Sequence, residues 1–152
     1  MIKNMGYLVL LWEVYGGIMH EKIADIQNSF WKAYKDFLQS GNTEKYESDI
    51  CSVIRKYKSD SLYYFCEALK DAWKKIISCC KNLEEIHEIL TDIQNSFWRA
   101  YRNFAQTKDM RKCNMDFDAI LDRYKNDEMM LNFCKGLIVA WCPVINRLKG
   151  SI

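Results

Sequence analysis

The sequence predicts an all-α protein of about six helices, arranged as two homologous three-helix units. Three observations carry this. Apolar residues recur at three- and four-residue steps along most of the chain, a single proline interrupts 152 residues, and the heptapeptide DIQNSFW at 25–31 returns letter for letter at 92–98. Only residues 7 to 12 alternate in a way that admits a strand.

The repeat extends beyond the heptapeptide at an offset of 67, and between 20–37 and 87–104 twelve of 18 positions are identical. His20-Glu21 pairs with His87-Glu88, and Lys32, Ala33, Tyr34, Lys35 and Phe37 pair with Arg99, Ala100, Tyr101, Arg102 and Phe104. Further on the letters thin while the pattern persists: Ile50 with Phe117, Tyr57-Lys58 with Tyr124-Lys125, Asp60 with Asp127. After one inserted residue, Cys66 pairs with Cys134 and Trp73 with Trp141. The organisation expected is an N-terminal extension over 1–17, a first repeat over 18–81 and a second over 82–152, forming one compact domain related by approximate two-fold symmetry or by stacking. About 68–70% of the unfolded surface of a chain this long is buried on folding, enough core to need no staples.

Each element has its own signal. Ile23, Ile26, Phe30, Ala33 and Phe37 form the stripe of a first helix from about 18 to 39. Gly41-Asn42 ends it, and Thr43 is the expected cap of the next. Tyr46, Ile50, Val53, Ile54 and Tyr57 stripe a second helix, and Ser59-Asp60-Ser61 breaks the chain before a third. That helix carries Leu62, Phe65, Leu69, Trp73, Ile76 and Ile77 to about 80. In the second repeat Asn82 with Glu85 reads as a capping pair. Helices are expected to about 106, over about 110–125 and over about 128–148, the last bent after Trp141 by Pro143.

A helical wheel at about 100° per residue separates three faces of the duplicated helix. Ile26, Phe30, Ala33 and Phe37 are core. Gln27, Trp31 and Tyr34 form a partly polar shoulder, and Asn28, Lys32 and Lys35 point the opposite way. The second copy repeats this with Gln94, Trp98 and Tyr101, and with Asn95, Arg99 and Arg102. Core packing explains Ile, Phe and Trp but not the retained Asn28 and Ser29. The candidate partner-binding residues are therefore Gln27, Asn28, Trp31, Lys32, Lys35, Gln94, Asn95, Trp98, Arg99 and Arg102. The alternative is that Trp31 and Trp98 fill a seam between the repeats.

Several function classes recede. Twenty-two Lys and Arg against 20 Asp and Glu leave a charge of +2, with no global pull to nucleic acid or an acidic membrane. Seven cysteines (51, 66, 79, 80, 113, 134, 142) are odd in number and contain no Cys-x-x-Cys pair, so they read as buried thiols in a reducing cytoplasm. His20 and His87 are repeat equivalents, not a ligand pair, and His-Glu lacks the second histidine of a zinc protease helix. Glu84-x-x-His87 has half a di-iron spacing, but Gly17 stands where the first copy needs its glutamate. Phosphate loops and nucleophile elbows are absent, and Cys142-Pro143 lacks a second thiol. No enzyme, metal or cofactor is expected. The apolar run 6–19 is broken by Glu13, lacks a cleavage site and falls short of the roughly 20 residues of a membrane span. Gly16-Gly17-Ile18 can be encoded as a ribosome-binding sequence just before ATG, which makes Met19 a candidate natural start.

The run W-[KR]-A-Y-[KR]-x-F, followed by Tyr-Lys-x-Asp and a closing helix with an aromatic and a cysteine, resembles small all-helical proteins from low-GC bacteria, their phages and mobile elements. Here the unit is doubled where those carry one copy. The resemblance implies no catalytic residue. It implies a setting, because small proteins of this sort work by blocking or redirecting a host protein, immunity components (anti-CRISPR action) included. The function expected is non-enzymatic protein binding, as an inhibitor or adaptor, through the first helix of each unit. The runner-up is nucleic-acid binding by Lys32, Lys35, Arg99 and Arg102. Monomer and homodimer both remain open.

Overall fold

The computed structural model describes the backbone of residues 2–79 and 81–150 and the side chains of 17–79 and 81–149. Among the described residues there are six helices and no strand: α1 Ile2–Ser40, α2 Thr43–Lys56, α3 Tyr63–Cys79, α4 Leu83–Thr107, α5 Met110–Arg123 and α6 Glu128–Gly150. The fold is all-α, as the periodicity predicts. Residues 7 to 12 are helical, not strand, and α1 starts at Ile2 instead of near 18. Gly16-Gly17 does not break it: each glycine costs about 1 kcal/mol against alanine, yet both keep the N–H that a proline would lack. The side chains of 1–16, most of the expected extension, lie outside the described residues, as does Cys80.

Two compact units divide the chain, Met1–Val53 and Ile54–Ile152. In the first, the α1 stripe Ile23, Ile26, Phe30 and Ala33 is buried to within 1%. Gly41 turns the chain in the left-handed conformation, its N–H bonded to the Phe37 carbonyl at 2.8 Å. The expected cap at Thr43 is one residue late. Asn42 takes that place, its Oδ1 accepting the Lys45 N–H at 3.0 Å, because a cap must stand before the first helical residue. Phe37 then packs on Tyr46, ring centres 5.6 Å apart, and Lys45 bonds Asp49 at 2.7 Å.

The second unit repeats these local devices. Lys108 is the left-handed residue after α4, its N–H on the Phe104 carbonyl at 2.7 Å. Asp109 Oδ1 accepts the Lys112 N–H at 3.0 Å, and Lys112 bonds Asp116 at 2.6 Å. Each of these residues lies 67 after its counterpart. Lys108 is the only described non-glycine residue at positive φ, 58°. A Cβ there is strained, so Lys108→Gly should raise stability by about 0.5–1 kcal/mol and Gly41→Ala should lower it by about 1 kcal/mol, read from urea denaturation midpoints.

Asp127 caps α6, its Oδ1 accepting the Met130 N–H at 3.2 Å, whereas Asp60 Oδ1 accepts the Leu62 N–H at 3.0 Å and so closes the turn that leads into α3. Asn82 does precede α4, but its side chain makes no capping bond, so the Asn82–Glu85 pair is not formed. α6 continues through Pro143, and both Pro143 and Val139, whose carbonyl loses its donor, are exposed.

The packing units cut the chain elsewhere than the sequence repeat does, because α3 lies against α6. Phe65 meets Trp141 at 4.8 Å and Trp73 meets Phe133 edge-on at 4.9 Å. Phe65 and Phe133 are 68 residues apart, and so are Trp73 and Trp141. The two ring pairs are thus copies related by a local two-fold axis across an antiparallel helix pair. Gly136 marks the closest approach, since a Cβ built there would stand 3.0 Å from the Ala72 Cβ. α4 and α5 complete the unit, α4 packing on both α5 and α6. Among the described residues one stretch, Glu128–Lys149, is long and apolar enough to cross a membrane by length and composition, and under half of its apolar window is buried in the protein.

Candidate functional site

The heptapeptide at 92–98 is best understood one side chain at a time. Ile93 and Phe97 are fully buried in the α4 stripe, Gln94 and Ser96 are buried beside them, and Phe97 packs on Phe117 of α5 at 5.2 Å. Trp98 is half-buried, tilted against Tyr101 at 5.2 Å and Trp141 at 6.2 Å. Asp92 and Ser96, one turn apart on α4, reach the end of α5. Asp92 Oδ2 accepts from Arg123 Nη1 and from the Tyr124 hydroxyl, both at 2.5 Å. Ser96 Oγ accepts from Arg123 Nη1 at 3.2 Å and from Arg99 Nη2 at 3.4 Å. The polar letters Asp and Ser therefore tie α4 to the turn before α6. Of the seven, Asn95 alone is fully exposed.

Electrostatics follows from this clasp. Partial burial would raise the Asp92 carboxyl, but the bonds from Tyr124 and Arg123 outweigh it and hold the group below its usual 3.8. Burial, with Asp92 as acceptor, pushes the Tyr124 phenol up to about 12. A carboxyl depressed on folding stabilises the protein above its unfolded pKa, and that contribution disappears as pH falls through the folded value. Asp92→Asn should therefore cost about 1 kcal/mol or less near neutral pH, both partners being partly solvated. The gap to wild type should close below about pH 4, measured by urea unfolding across the acid range.

The exposed side of α4 carries the remaining retained letters. His87, Glu88, Thr91, Asp92, Asn95 and Arg99 line a shallow depression of about 480 Å³. Their spacing is one stripe over three turns. Four of the six, His87, Glu88, Asp92 and Asn95, are the letters of His20, Glu21, Asp25 and Asn28, and Arg99 answers Lys32. The fold brings Asn95 and Arg99 together in this depression. Gln94 and Trp98 turn inward from it, and Arg102 is exposed outside it. On α1, Asn28, Lys32 and Lys35 are exposed, Gln27 is buried and Trp31 is half-buried against Tyr34 at 5.1 Å. His87, Glu88 and Asp92 line the depression although they are not among the candidates the sequence offers; their identity in both copies is the signal that points to them.

No group of three or more His, Cys, Asp or Glu among the described residues is placed to hold a metal ion. Cys66, Cys113 and Cys134 are buried, but Cys51 and Cys79 are exposed, which corrects the expectation of uniformly buried thiols: Cys51 lies a step round the helix from Ile50, off the apolar stripe. Burial pushes Cys113 up to about 11 and Cys134 up to about 12, so neither is a thiolate near neutral pH. Set against protein-family models, curated proteins and solved structures, the chain finds no match.

Proposed function

We propose that the protein is a non-enzymatic, cytoplasmic protein-binding module, and that each copy of its duplicated helix offers the same polar stripe to a protein partner. One observation carries the reading. On α4 two of the letters kept between the copies, Glu88 and Asn95, belong to neither core nor clasp and are exposed, and both line one depression beside His87, Asp92 and Arg99. Core and clasp do not require these two letters, and the reading rests on them. The stripe mixes Glu88 and Asp92 with Arg99, a pattern suited to the hydrogen-bonding rim of a protein interface more than to a phosphate backbone. The resemblance to small phage and mobile-element proteins supports a host protein as the target, immunity components among them, with inhibition or redirection as the outcome.

The test is affinity capture from a bacterial lysate, with and without nuclease, using wild type and an Asn28→Arg, Lys32→Glu, Asn95→Arg, Arg99→Glu variant. All four positions are exposed, so the variant should keep its helical circular dichroism. A protein held by wild type after nuclease and lost by the folded variant supports the proposal. Capture that collapses with nuclease, and steeply with salt, would transfer the site to nucleic acid through Lys32, Lys35, Arg99 and Arg102. Equal capture by both forms would remove the stripe from consideration.

A further inference from the structure

A second surface of the Ile54–Ile152 unit shares no residue with the stripe on α4. On the outer side of the antiparallel α3/α6 pair runs a groove of about 920 Å³. Its floor is made of small residues, Ala68, Ala72 and Gly136, and two of the few large apolar side chains left exposed, Tyr64 at 56% and Val139 at 54%, border it. α6 also has the apolar content of a membrane-length helix while less than half of that window is buried. Most of its large apolar side chains are buried, and Val139 is the large one that stays exposed beside the groove.

The charge around the groove selects the occupant. Glu67, Asp71, Asp127 and Glu128 outnumber Lys75 and Lys135. A second copy joined through this face by two-fold symmetry would set one acidic excess against another. An anionic bilayer surface would be repelled in the same way. The trough along α3 from Tyr64 to Cys79 is about 22 Å long at 1.5 Å per residue, the length of a four-turn helix. We propose that the α3/α6 groove receives an amphipathic helix of a partner protein, with an apolar stripe on Ala68, Ala72, Gly136 and Val139 and with flanking Lys or Arg side chains reaching Glu67, Asp71 and Glu128. The small floor lets the incoming backbone come close, and the carboxylates set its orientation.

The experiment uses the full chain and two fluorescent synthetic peptides of about 16 residues, each with leucine at i, i+3, i+4 and i+7. One has lysine at its flanking positions and the other has glutamate. Fluorescence anisotropy should show the lysine peptide binding at least about tenfold tighter than the glutamate peptide. Glu67→Lys with Asp71→Lys should reverse that order, and Val139→Arg at its exposed position should weaken the lysine peptide by about tenfold or more. Circular dichroism on each variant confirms the fold. No binding of the lysine peptide, equal binding of the two, or an order untouched by the reversal would overturn the proposal. So would a dimer in sedimentation that Val139→Arg dissolves, which would give the groove to a second copy, or binding to anionic vesicles lost in the same variant.

Discussion

Trp141→Ala should lower the stability of the protein by about 3–5 kcal/mol. Trp141 is 1% exposed and sits where three helices of its unit converge. Its ring meets Phe65 of α3 at 4.8 Å, Tyr101 of α4 at 4.9 Å with an interplanar angle of 31°, and Trp98 at 6.2 Å. Alanine removes a fully buried indole and three ring contacts, each worth about 0.5–1.5 kcal/mol beyond simple burial. The rings left behind stand on different helices and cannot all close on one void, so a cavity term adds to the transfer term. In a thermal melt followed by circular dichroism, the midpoint should fall by roughly 6–20 °C. Trp98→Ala should cost less, about 2 kcal/mol, because Trp98 is half-exposed and loses less apolar contact area. A Trp98 variant more damaging than the Trp141 one would mean that the aromatic cluster is centred elsewhere.

Helix number and most boundaries were legible because amphipathic period is local information. Leu62, Phe65, Leu69, Trp73 and Ile76 announce α3 by spacing alone, and all five are buried. The wheel turned Asn95, Arg99 and Arg102 outward, where the fold has them, but it set Gln94 on a partly polar shoulder as a binding candidate, and the fold buries it. It could not see what Asp92 and Ser96 do. Their partners lie 27 to 32 residues further on, and nothing in a period of 3.6 says that Arg123 and Tyr124 at the end of α5 return to the same face of α4. In the second copy, that clasp is what the Asp and Ser of the heptapeptide do. α1 misled the eye at its start, where Gly16-Gly17 looks like a boundary but withdraws no hydrogen-bond donor. The α3/α6 groove was hidden for a different reason. Hydrophobic period tells how much of a helix wants burial, not which neighbour leaves part of it uncovered.

Gly136→Ala is the prediction in which two terms of known sign oppose each other. In an isolated helix the change would stabilise by about 0.8–1.0 kcal/mol, since glycine is the poorer helix former. Here the added Cβ would stand 3.0 Å from the Ala72 Cβ, tighter than nine in ten real Cβ contacts, so something must give by a few tenths of an ångström. Ala72 cannot rotate out of the way, because its Cβ is fixed to the α3 backbone; the helices themselves must part. That movement would loosen the Phe65–Trp141 and Trp73–Phe133 pairs on either side of the crossing. Overpacking of this kind costs about 1–3 kcal/mol, so the clash should exceed the propensity gain and the net effect should be a loss of about 1 kcal/mol. Gly136→Val, with two further methyls and a poorer helix propensity, should lose about 3 kcal/mol. The decisive comparison is a double-mutant cycle with Ala72→Gly. That substitution alone should destabilise through propensity, yet combined with Gly136→Ala it returns the same two side chains to the crossing in exchanged places. The pair should therefore be more stable than the sum of its parts by about 1 kcal/mol or more in urea unfolding. An additive cycle would mean that α3 and α6 are not held at this distance, and the local two-fold packing of the four rings would lose its fulcrum.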